Sequence, residues 1–512
     1  MPEDQATQKA GCAGLGARDA ARPGILRVHE NDHVAVALGD LDAGETVTVG
    51  AVSVTLTTDV PKGHKIALYD IPVGQAVLKF GFVIGRATQA IAAGEHIHSH
   101  NLATALSGVE DYTYEPVPMA KPAVPTGQFL GYRRGDGKVG IRNEIWILCT
   151  VGCVARTSER LARLASERFK GRIDGVHALT HPLGCSQLGD DLDHTRKLIA
   201  ALAMHPNAGG VLIVGLGCEN NQLSALLKEI DRPADRLKYF AAQMVEDETE
   251  TGLEALEELV AIIEKDQREP CDLSDLAIGV KCGGSDGFSG LTANPLVGRV
   301  ADRVAFAGGQ AIMTEIPEIF GAERILMGRA KNEAVFEGVV SVVNDFKQYF
   351  LDHNQPVFEN PSPGNKAGGI TTLEEKSLGA VQKGGTSPLN EVLRYGERAD
   401  EKGLSLLEAP GNDAVSSTAL TAAGAVIVLF TTGRGTPLGF PAPTLKIASN
   451  SALAQKKPHW IDFDAGQVLN DGLDATTDSL MDLILRTASG QPSCNETNDE
   501  REIAIWKNGV TL

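Results

Sequence analysis

Three histidines alternate within one short stretch of the chain, at His96, His98 and His100. Side chains alternate between the two faces of an extended segment, so this spacing predicts three imidazoles on one face. Neutral imidazole together with carboxylate suits iron, manganese or zinc, and His29 and Asp32 add one group of each kind earlier in the chain. The stretch is therefore a candidate metal site. If it ends in a loop, only one or two of its imidazoles converge.

Several apolar runs lead directly into loops that carry glycine together with cysteine, aspartate, arginine or threonine. These loops are residues 151–153, 215–221, 282–287 and 431–436. In open α/β sheets, ligands bind beyond the carboxyl ends of the strands, so the four loops together predict a ligand-binding edge. For any single loop, a glycine that only makes a tight turn is the simpler interpretation.

Two cationic side chains stand in polar, glycine-rich loops. Arg434 lies between two glycines, and a guanidinium group binds a carboxylate in a bidentate fork. Lys366 lies in the loop of residues 361–369, where it could bind a substrate anion, or remove a proton if burial lowered its pKa. For both residues, a solvated surface side chain is the alternative interpretation.

The cysteines and glycines do not match the common cofactor motifs. Cys153, Cys185, Cys218 and Cys282 lack the paired C-x-x-C spacing of structural zinc sites, although any one of them could be a ligand or a small buried hydrophobe. The partial dinucleotide pattern that starts at Gly215 has Asn220 where the third glycine belongs, and the chain has no phosphate-loop motif. Neither NAD nor ATP is indicated.

The composition is that of a globular protein large enough to position such loops. The chain has 512 residues, 43% hydrophobic and 22% charged, which predicts two to four domains. A net charge of -19 without a dense run of lysine and arginine argues against nucleic acid as a partner. There is no signal-peptide pattern in the first 24 residues, and no apolar run approaches about 18 residues, so we expect a cytoplasmic protein without a membrane partner. The eight cysteines are expected to be reduced.

The pattern along the chain predicts five segments. Residues 1–24 have no strand or helix period and are predicted to be a mobile tail, whereas residues 25–108 contain short alternating runs separated by turn signals and predict a small β-rich domain. The proline-spaced residues 109–128 predict an extended linker. Apolar strands then alternate with helical segments, which predicts a first α/β domain over 129–265 and a second over 266–512.

Motifs spread over residues 25–512 resemble the altronate and galactarate dehydratase family. They include residues 63–65, 94–101, 139–144, 184–191, 217–222, 282–290, 360–369, 433–437 and 460–463. The resemblance implies a small N-terminal β domain of the SAF type followed by α/β (Rossmann-like) domains. It also implies a divalent metal, with iron(II) expected first and manganese(II) as the alternative.

The resemblance further implies a hydro-lyase that removes water from a sugar acid to give a 2-keto-3-deoxy acid. Residues 411–414 and the closing stretch from residue 494 are most similar to the altronate-acting members, so the expected reaction converts D-altronate to 2-keto-3-deoxy-D-gluconate in hexuronate catabolism. Galactarate or another sugar acid, a related sulfo-lyase reaction, and a non-catalytic sugar-acid binding module are the alternatives. A homo-oligomer is expected, most simply a dimer.

Residue chemistry suggests hypothetical roles in this reaction. Removing the proton beside a carboxylate builds up enediolate-like charge, which a metal or cationic donors must stabilise. The proposed metal ligands are His29, His98 and His100; the proposed substrate-binding residues are Arg434, Lys446, Asn365 and Ser285; and the candidates for proton transfer are His64, Lys366 and Asp286.

Overall fold

The computed structural model describes residues 24–119 and 123–512. It confirms the predicted fold class, since a β-rich N-terminal domain precedes α/β domains with parallel sheets. The predicted mobile tail lies outside the described residues except for Gly24, and residues 120–122 of the predicted linker also lie outside them. Of the helices in the described part of the chain, none is both long and apolar enough to cross a membrane.

The N-terminal domain consists of short antiparallel strands. Alternation drives their formation, as in Thr46–Val49, where Val47 is buried and the threonines are exposed. The strands form the sheets β1-β2-β5-β8, β3-β4 and β6-β7-β9. Their bounds are β1 Ile25–Leu26, β2 Val34–Ala37, β3 Thr46–Val49, β4 Val52–Thr55, β5 Lys65–Ala67, β6 Ala76–Lys79, β7 Phe82–Ala87, β8 His96–Ile97 and β9 Leu102–Ala103.

The second domain contains a four-stranded parallel sheet of order β13-β12-β14-β15 and a three-stranded antiparallel sheet of order β11-β10-β16. The strands of the parallel sheet are nearly continuous apolar runs because helices cover both faces. The elements are β10 Gln128–Arg133, β11 Val139–Gly140, β12 Glu144–Cys149, α1 Ala155–Arg168, β13 Gly175–Leu179, α2 Gly189–Ala203, β14 Ala208–Gly215, α3 Leu223–Leu226, β15 Leu237–Ala241, α4 Glu248–Ile263 and β16 Glu269–Asp272.

The third domain is built on a seven-stranded parallel sheet of order β19-β20-β18-β17-β21-β22-β23. The strands are β17 Ala277–Gly283, β18 Gln310–Met313, β19 Leu389–Leu393, β20 Gly403–Leu407, β21 Ile427–Thr432, β22 Thr444–Ala448 and β23 Phe463–Asp464. The helices are α5 Ala293–Phe306, α6 Glu323–Met327, α7 Glu333–Asp352, α8 Pro363–Ala367, α9 Leu373–Ala380, α10 Asp413–Ala422, α11 Ser451–Lys456, α12 Val468–Asp471, α13 Leu473–Ala488 and α14 Cys494–Thr497.

Each parallel sheet contains a switch point, where the chain reverses the direction in which it adds strands. The switch lies between β17 and β21 in the seven-stranded sheet and between β12 and β14 in the four-stranded sheet. Ligands bind outside the carboxyl ends of strands at such points. The order of the strands therefore marks two edges where side chains are placed to bind a ligand.

The two α/β domains share one hydrophobic core, in which α2 packs against α10. Directly after α2, the Nε2 of His205 donates to the carbonyl of Ala425, which follows α10, at 3.1 Å. Since the carboxyl ends of these packed helices meet, the helices run in the same direction. Each helix runs antiparallel to its own sheet, so the carboxyl edges of both sheets face the same side of the molecule.

Candidate active site

The loops after β17 and β21 meet at the switch point of the seven-stranded sheet, and Asp286 joins them. Its Oδ1 accepts hydrogen bonds from the Ser449 hydroxyl at 2.8 Å and from the Ser289 amide at 2.9 Å, and its Oδ2 accepts from the Asn450 side chain at 3.0 Å. A Cβ at Gly433 would lie 2.3 Å from the Asp286 carboxyl carbon, so only glycine fits there. These bonds favour a positioning role for Asp286, since they occupy most of the lone pairs that a general base would need.

The short helix α8 lies over this switch point. The Asn365 side chain donates to the carbonyl of Ser285 at 2.8 Å, and the amide of Gly287 donates to the carbonyl of Gly368 at 2.7 Å. Asn365 and Ser285 are both buried, and the Asn365 amide group also completes a capping box with Ser362 at the start of α8. In this structure the two predicted substrate-binding residues hold the loop in place.

Arg434 and Lys366 lie on opposite sides of the same loop. The exposed Arg434 guanidinium donates to the carbonyl of Gly364 at 3.1 Å, while the carbonyl of Lys366 accepts from the His98 Nε2 at 2.9 Å. Lys366 is half-buried. The Arg434 guanidinium therefore lies against α8 at the switch point, and α8 also carries Lys366.

Four histidines of the N-terminal domain form a cluster of rings against this loop. Strands β5 and β8 pair with Ile66 opposite His96, which places His64, just before β5, beside His96. The His64 Nδ1 lies 3.0 Å from the His96 Nε2. Ring centroids are 5.0 Å apart for His64 and His98, and 5.6 Å apart for both His96–His98 and His96–His100. His96 is at the centre of the cluster. The sequence predicts it on the same face as His98 and His100, although it is not among the three proposed ligands.

Burial favours the neutral form of His64, His96 and His98. Desolvation is the main cause that lowers the pKa of His64, His96 and His98, and the pKa of His96 falls to about 4. Neighbouring imidazoles add to the effect at His64 and His96, since a second positive charge would lie nearby. Neutral imidazole is the form that binds metal ions, so the facing nitrogens of His64 and His96 fit a divalent cation.

The structure does not place His29, a predicted metal ligand, in this cluster, and it pairs Lys446, a predicted substrate-binding residue, with a carboxylate. The His29 Nδ1 accepts from the Asn31 amide at 3.1 Å in a local turn, and among the described residues His29 is not one of the ring-paired histidines. The Lys446 side chain is wholly buried and pairs with Glu500 at 2.9 Å. The ring of His29 stands against Gly81, and the charge of Lys446 is already neutralised, so neither fits its hypothetical role.

A buried ion-pair cluster fixes the N-terminal domain on the C-terminal domain. Glu375 accepts from Lys65 at 2.9 Å and from Lys79 at 2.7 Å, and all three side chains are almost fully buried. Lys65 also donates to the Thr371 hydroxyl at 2.6 Å. Burial alone would raise the pKa of Glu375, but the two lysines lower it to about 2, while burial lowers the pKa of Lys65 to about 8. Lys65 is adjacent to His64, so this cluster, which sequence reasoning missed, positions the imidazoles.

A second buried cluster follows β17, where Cys282, Glu315 and Glu318 could offer three ligand atoms to one ion. Buried lysines already pair with both carboxylates: Lys281 and Lys383 with Glu315 at 3.2 and 2.9 Å, and Lys376 with Glu318 at 2.7 Å. A metal cation would have to enter beside three ammonium groups, which Coulomb repulsion opposes. We therefore interpret this cluster as a structural ion-pair network.

Two cavities flank these clusters. A small one of about 20 Å³ lies beside the switch point and is lined by Lys79, Lys376, Ser285 and Asp286. A larger one of about 360 Å³ lies between Tyr114, Val117 and Lys331, away from the switch point, and holds no converging set of titratable groups. The smaller cavity is the one next to Asp286, and its volume suits a water molecule rather than a sugar acid.

Three family models match the chain in succession. The altronate/galactarate dehydratase SAF domain covers residues 23–105, the D-galactarate dehydratase/altronate hydrolase second domain covers 131–264, and the D-galactarate/altronate dehydratase C-terminal domain covers 273–511. Each model falls on one of the three domains described above.

Curated relatives extend over nearly the whole chain. The altronate dehydratase of Escherichia coli strain K12 is 51% identical over 496 residues, which are 95% of this chain and 99% of that protein. The altronate dehydratase of Bacillus subtilis strain 168 is 50% identical over 95% of this chain and 99% of its own length. The galactarate dehydratase (L-threo-forming) of E. coli K12 is 34% identical over 91% of this chain and 93% of its own length. The chain therefore belongs to the altronate and galactarate dehydratase family.

Proposed function

We propose that this chain is a hydro-lyase that dehydrates D-altronate to 2-keto-3-deoxy-D-gluconate. The observation that carries the proposal is the near full-length identity to two altronate dehydratases, which is much higher than the identity to a galactarate dehydratase. The histidine cluster at the switch point supports it, because neutral imidazoles beside cationic side chains suit chemistry next to a carboxylate.

The reaction removes the proton on the carbon beside the carboxylate and expels the hydroxyl group from the next carbon. The enol that results tautomerises to the 2-keto-3-deoxy acid, and water is the other product. Arg434 binds the substrate carboxylate through its guanidinium fork. Lys366, on α8, would take up the proton as the neutral amine. Asp286 keeps the loops after β17 and β21 in register with these groups.

His64 and His96 are the residues that would hold a divalent metal ion, with iron(II) proposed first and manganese(II) as the alternative. Their facing nitrogens and neutral form are the supporting observations. When bound, such an ion acts as a Lewis acid towards substrate oxygens. The histidines themselves orient the carboxylate end of the substrate and exclude water from the β5–β8 side of the site.

A cytoplasmic location and a homodimer are also proposed. The seven described cysteines are all free thiols, which supports a reducing compartment. Light scattering of the purified chain tests the dimer.

Anaerobic turnover of D-altronate tests the proposal, with galactarate alongside and with protein loaded with iron(II), manganese(II) or no metal. Metal-dependent formation of the 2-keto-3-deoxy acid from altronate alone is the expected result. Product from galactarate alone would change the assigned substrate from altronate to galactarate. No product from either acid would contradict the proposal.

A further inference from the structure

Three Gly-Cys dipeptides stand at the carboxyl ends of three adjacent parallel strands in the second domain. They are Gly152-Cys153 after β12, Gly184-Cys185 after β13 and Gly217-Cys218 after β14. Leu148 on β12 pairs with Leu179 on β13 and with Ile213 on β14, so the three strands end level with one another. The cysteines therefore emerge on one edge, around the switch point between β12 and β14.

Backbone contacts join the loop after β12 to the loop after β13. The Gly152 amide donates to the carbonyl of Leu183 at 2.8 Å. A Cβ at Gly184 would lie 2.1 Å from the Thr150 carbonyl oxygen, so the two loops touch where each approaches its cysteine. Only glycine allows this approach.

The loop after β14 is tied to both of the others. The Asn221 side chain donates to the carbonyl of Thr150 at 3.1 Å, and the Asn221 amide donates to the carbonyl of Gly184, also at 3.1 Å. The Ser186 amide donates to the Asn220 side chain at 2.8 Å. The three cysteine loops are thus one packed unit, and each cysteine is within three residues of a contact between loops.

The backbone of this unit adopts conformations that L-residues rarely adopt. Ser186, directly after Cys185, has φ 56°, and the glycines before Cys185 and Cys218 have φ 99° and 128°. A serine in the left-handed region persists only where the surroundings impose it, and such residues concentrate at ligand-binding sites. The geometry here is what brings three cysteines to one surface.

The thiols on this surface differ from the others in the chain. Cys153, Cys185 and Cys218 are exposed, and they are the only cysteines in that class among the described residues. Cys149, Cys271 and Cys282 are buried, and Cys494 is half-buried. The exposed thiols of the described chain are therefore gathered on a single edge.

We propose that Cys153, Cys185 and Cys218 bind an iron–sulfur cluster of the [4Fe–4S] class. A single zinc ion needs its thiolates to converge on one point, and no such convergence of these three is found among the described residues. Cluster thiolates each bind a different iron, so they attach from separate loops without converging. Three ligands leave one iron without a protein thiolate. Because the packing of α2 against α10 turns both sheet edges to the same side of the molecule, that iron would face the side on which the proposed function places the substrate.

Anaerobic reconstitution of the full chain with iron, sulfide and dithiothreitol tests the inference. We expect about four acid-labile sulfide per chain and about four iron beyond any ion at His64 and His96, with the visible absorption and electron paramagnetic resonance signal of a cluster. Cys153→Ser, Cys185→Ser and Cys218→Ser should each reduce cluster iron and sulfide by at least about fivefold. All three are surface substitutions, so the melting temperature of the apo-protein should not change.

Cys271→Ser and Cys494→Ser are the matched controls and should retain the cluster. The inference is overturned if the reconstituted wild-type chain holds no acid-labile sulfide, or if the three surface variants assemble the cluster as well as the wild type does. Cluster content is measured without substrate. A negative result for the cluster is therefore distinguishable from a negative result for altronate turnover.

Discussion

The carboxyl edges of the two parallel sheets have the same topology but present different chemistry. At the edge of the seven-stranded sheet, Asp286 and Arg434 meet imidazoles supplied by another domain, and the His64 ring is 303 positions from its contact at Ala367. At the edge of the four-stranded sheet, Cys153, Cys185 and Cys218 come from loops of one domain. The first edge is suited to proton transfer and hard oxygen ligands, and the second to soft, sulfur-bound iron.

The two sites depend on different parts of the fold. The imidazole site exists only while the N-terminal domain is docked, whereas the thiol site needs only the second domain to be folded. Variants that remove one site should therefore leave the other intact, and this separation can be tested directly.

The largest expected effect comes from His96→Ala. It removes the central ring of the histidine cluster and the partner of the His64 Nδ1, so altronate turnover should fall by about 10²–10⁴-fold. Steady-state kinetics on metal-loaded protein measures the loss. His353→Ala, which changes an exposed histidine directly after α7, is the control and should retain full activity.

The same His96 variant should keep the iron and sulfide content of the thiol edge. Loss of the cluster together with turnover would contradict the independence of the two edges. Unchanged turnover would remove His96 from the active site.

Glu375→Gln should have the next largest effect, because it leaves Lys65 and Lys79 buried without a carboxylate. Breaking a buried pair by removing one partner costs about 3–5 kcal/mol, and urea unfolding followed by circular dichroism measures it. The control is Glu257→Gln, which breaks a half-exposed pair with Arg168 and should cost about 0–1 kcal/mol. If both variants lose the same stability, the ion-pair cluster does not hold the domains together.

The sequence predicts the parts of this comparison that depend on local pattern. Alternating runs predict the N-terminal strands, and apolar runs that end in glycine predict the switch-point loops of Asp286 and Arg434. Family resemblance supplies the reaction. These features are encoded within windows of about ten residues, or in motifs that can be compared directly.

The remaining features depend on contacts that no local pattern encodes. The His64–His96 pair arises from the antiparallel register of β5 and β8, and Lys65 meets Glu375 only after two domains dock. Lys446 is a predicted substrate-binding residue, but it is buried on β22 and pairs with Glu500. His29 has a side chain that can bind a metal, but its Nδ1 accepts a hydrogen bond from the Asn31 amide in a local turn.

A smaller, pH-dependent effect is expected at His205, between the two sheets. Its Nε2 donates to Ala425 and its Nδ1 accepts from the Asn207 amide, so only the neutral ring satisfies both bonds. Burial lowers the pKa of His205 to about 3, whereas the unfolded chain titrates near 6.5. The stabilisation is fully present above pH 6.5 and is lost as the pH falls from 6.5 towards 3, by about 1.4 kcal/mol per pH unit.

Comparing the wild type with His205→Gln isolates the contribution of His205 to the pH dependence of stability. The stability advantage of the wild type should shrink by about 2 kcal/mol between pH 7.5 and pH 5, as measured by urea unfolding at each pH. An advantage that does not change with pH would mean that His205 accepts a proton in the folded protein. The two sheets would then lack a neutral hydrogen-bonded contact at the amino ends of their strands.

The smallest expected effect is that of Arg434→Lys, which probes substrate binding at the edge of the seven-stranded sheet. Lysine keeps the charge but loses the bidentate fork, so the KM for altronate should rise about tenfold, equivalent to about 1.4 kcal/mol, with kcat changed much less. Arg156→Lys, on the exposed surface of α1, is the control and should leave KM unchanged. If kcat falls while KM stays the same, Arg434 acts in the transition state rather than on the ground-state carboxylate. Arg434 would then contribute to the chemical step together with the imidazoles. The edge of the seven-stranded sheet would be specialised for that step rather than for binding the substrate.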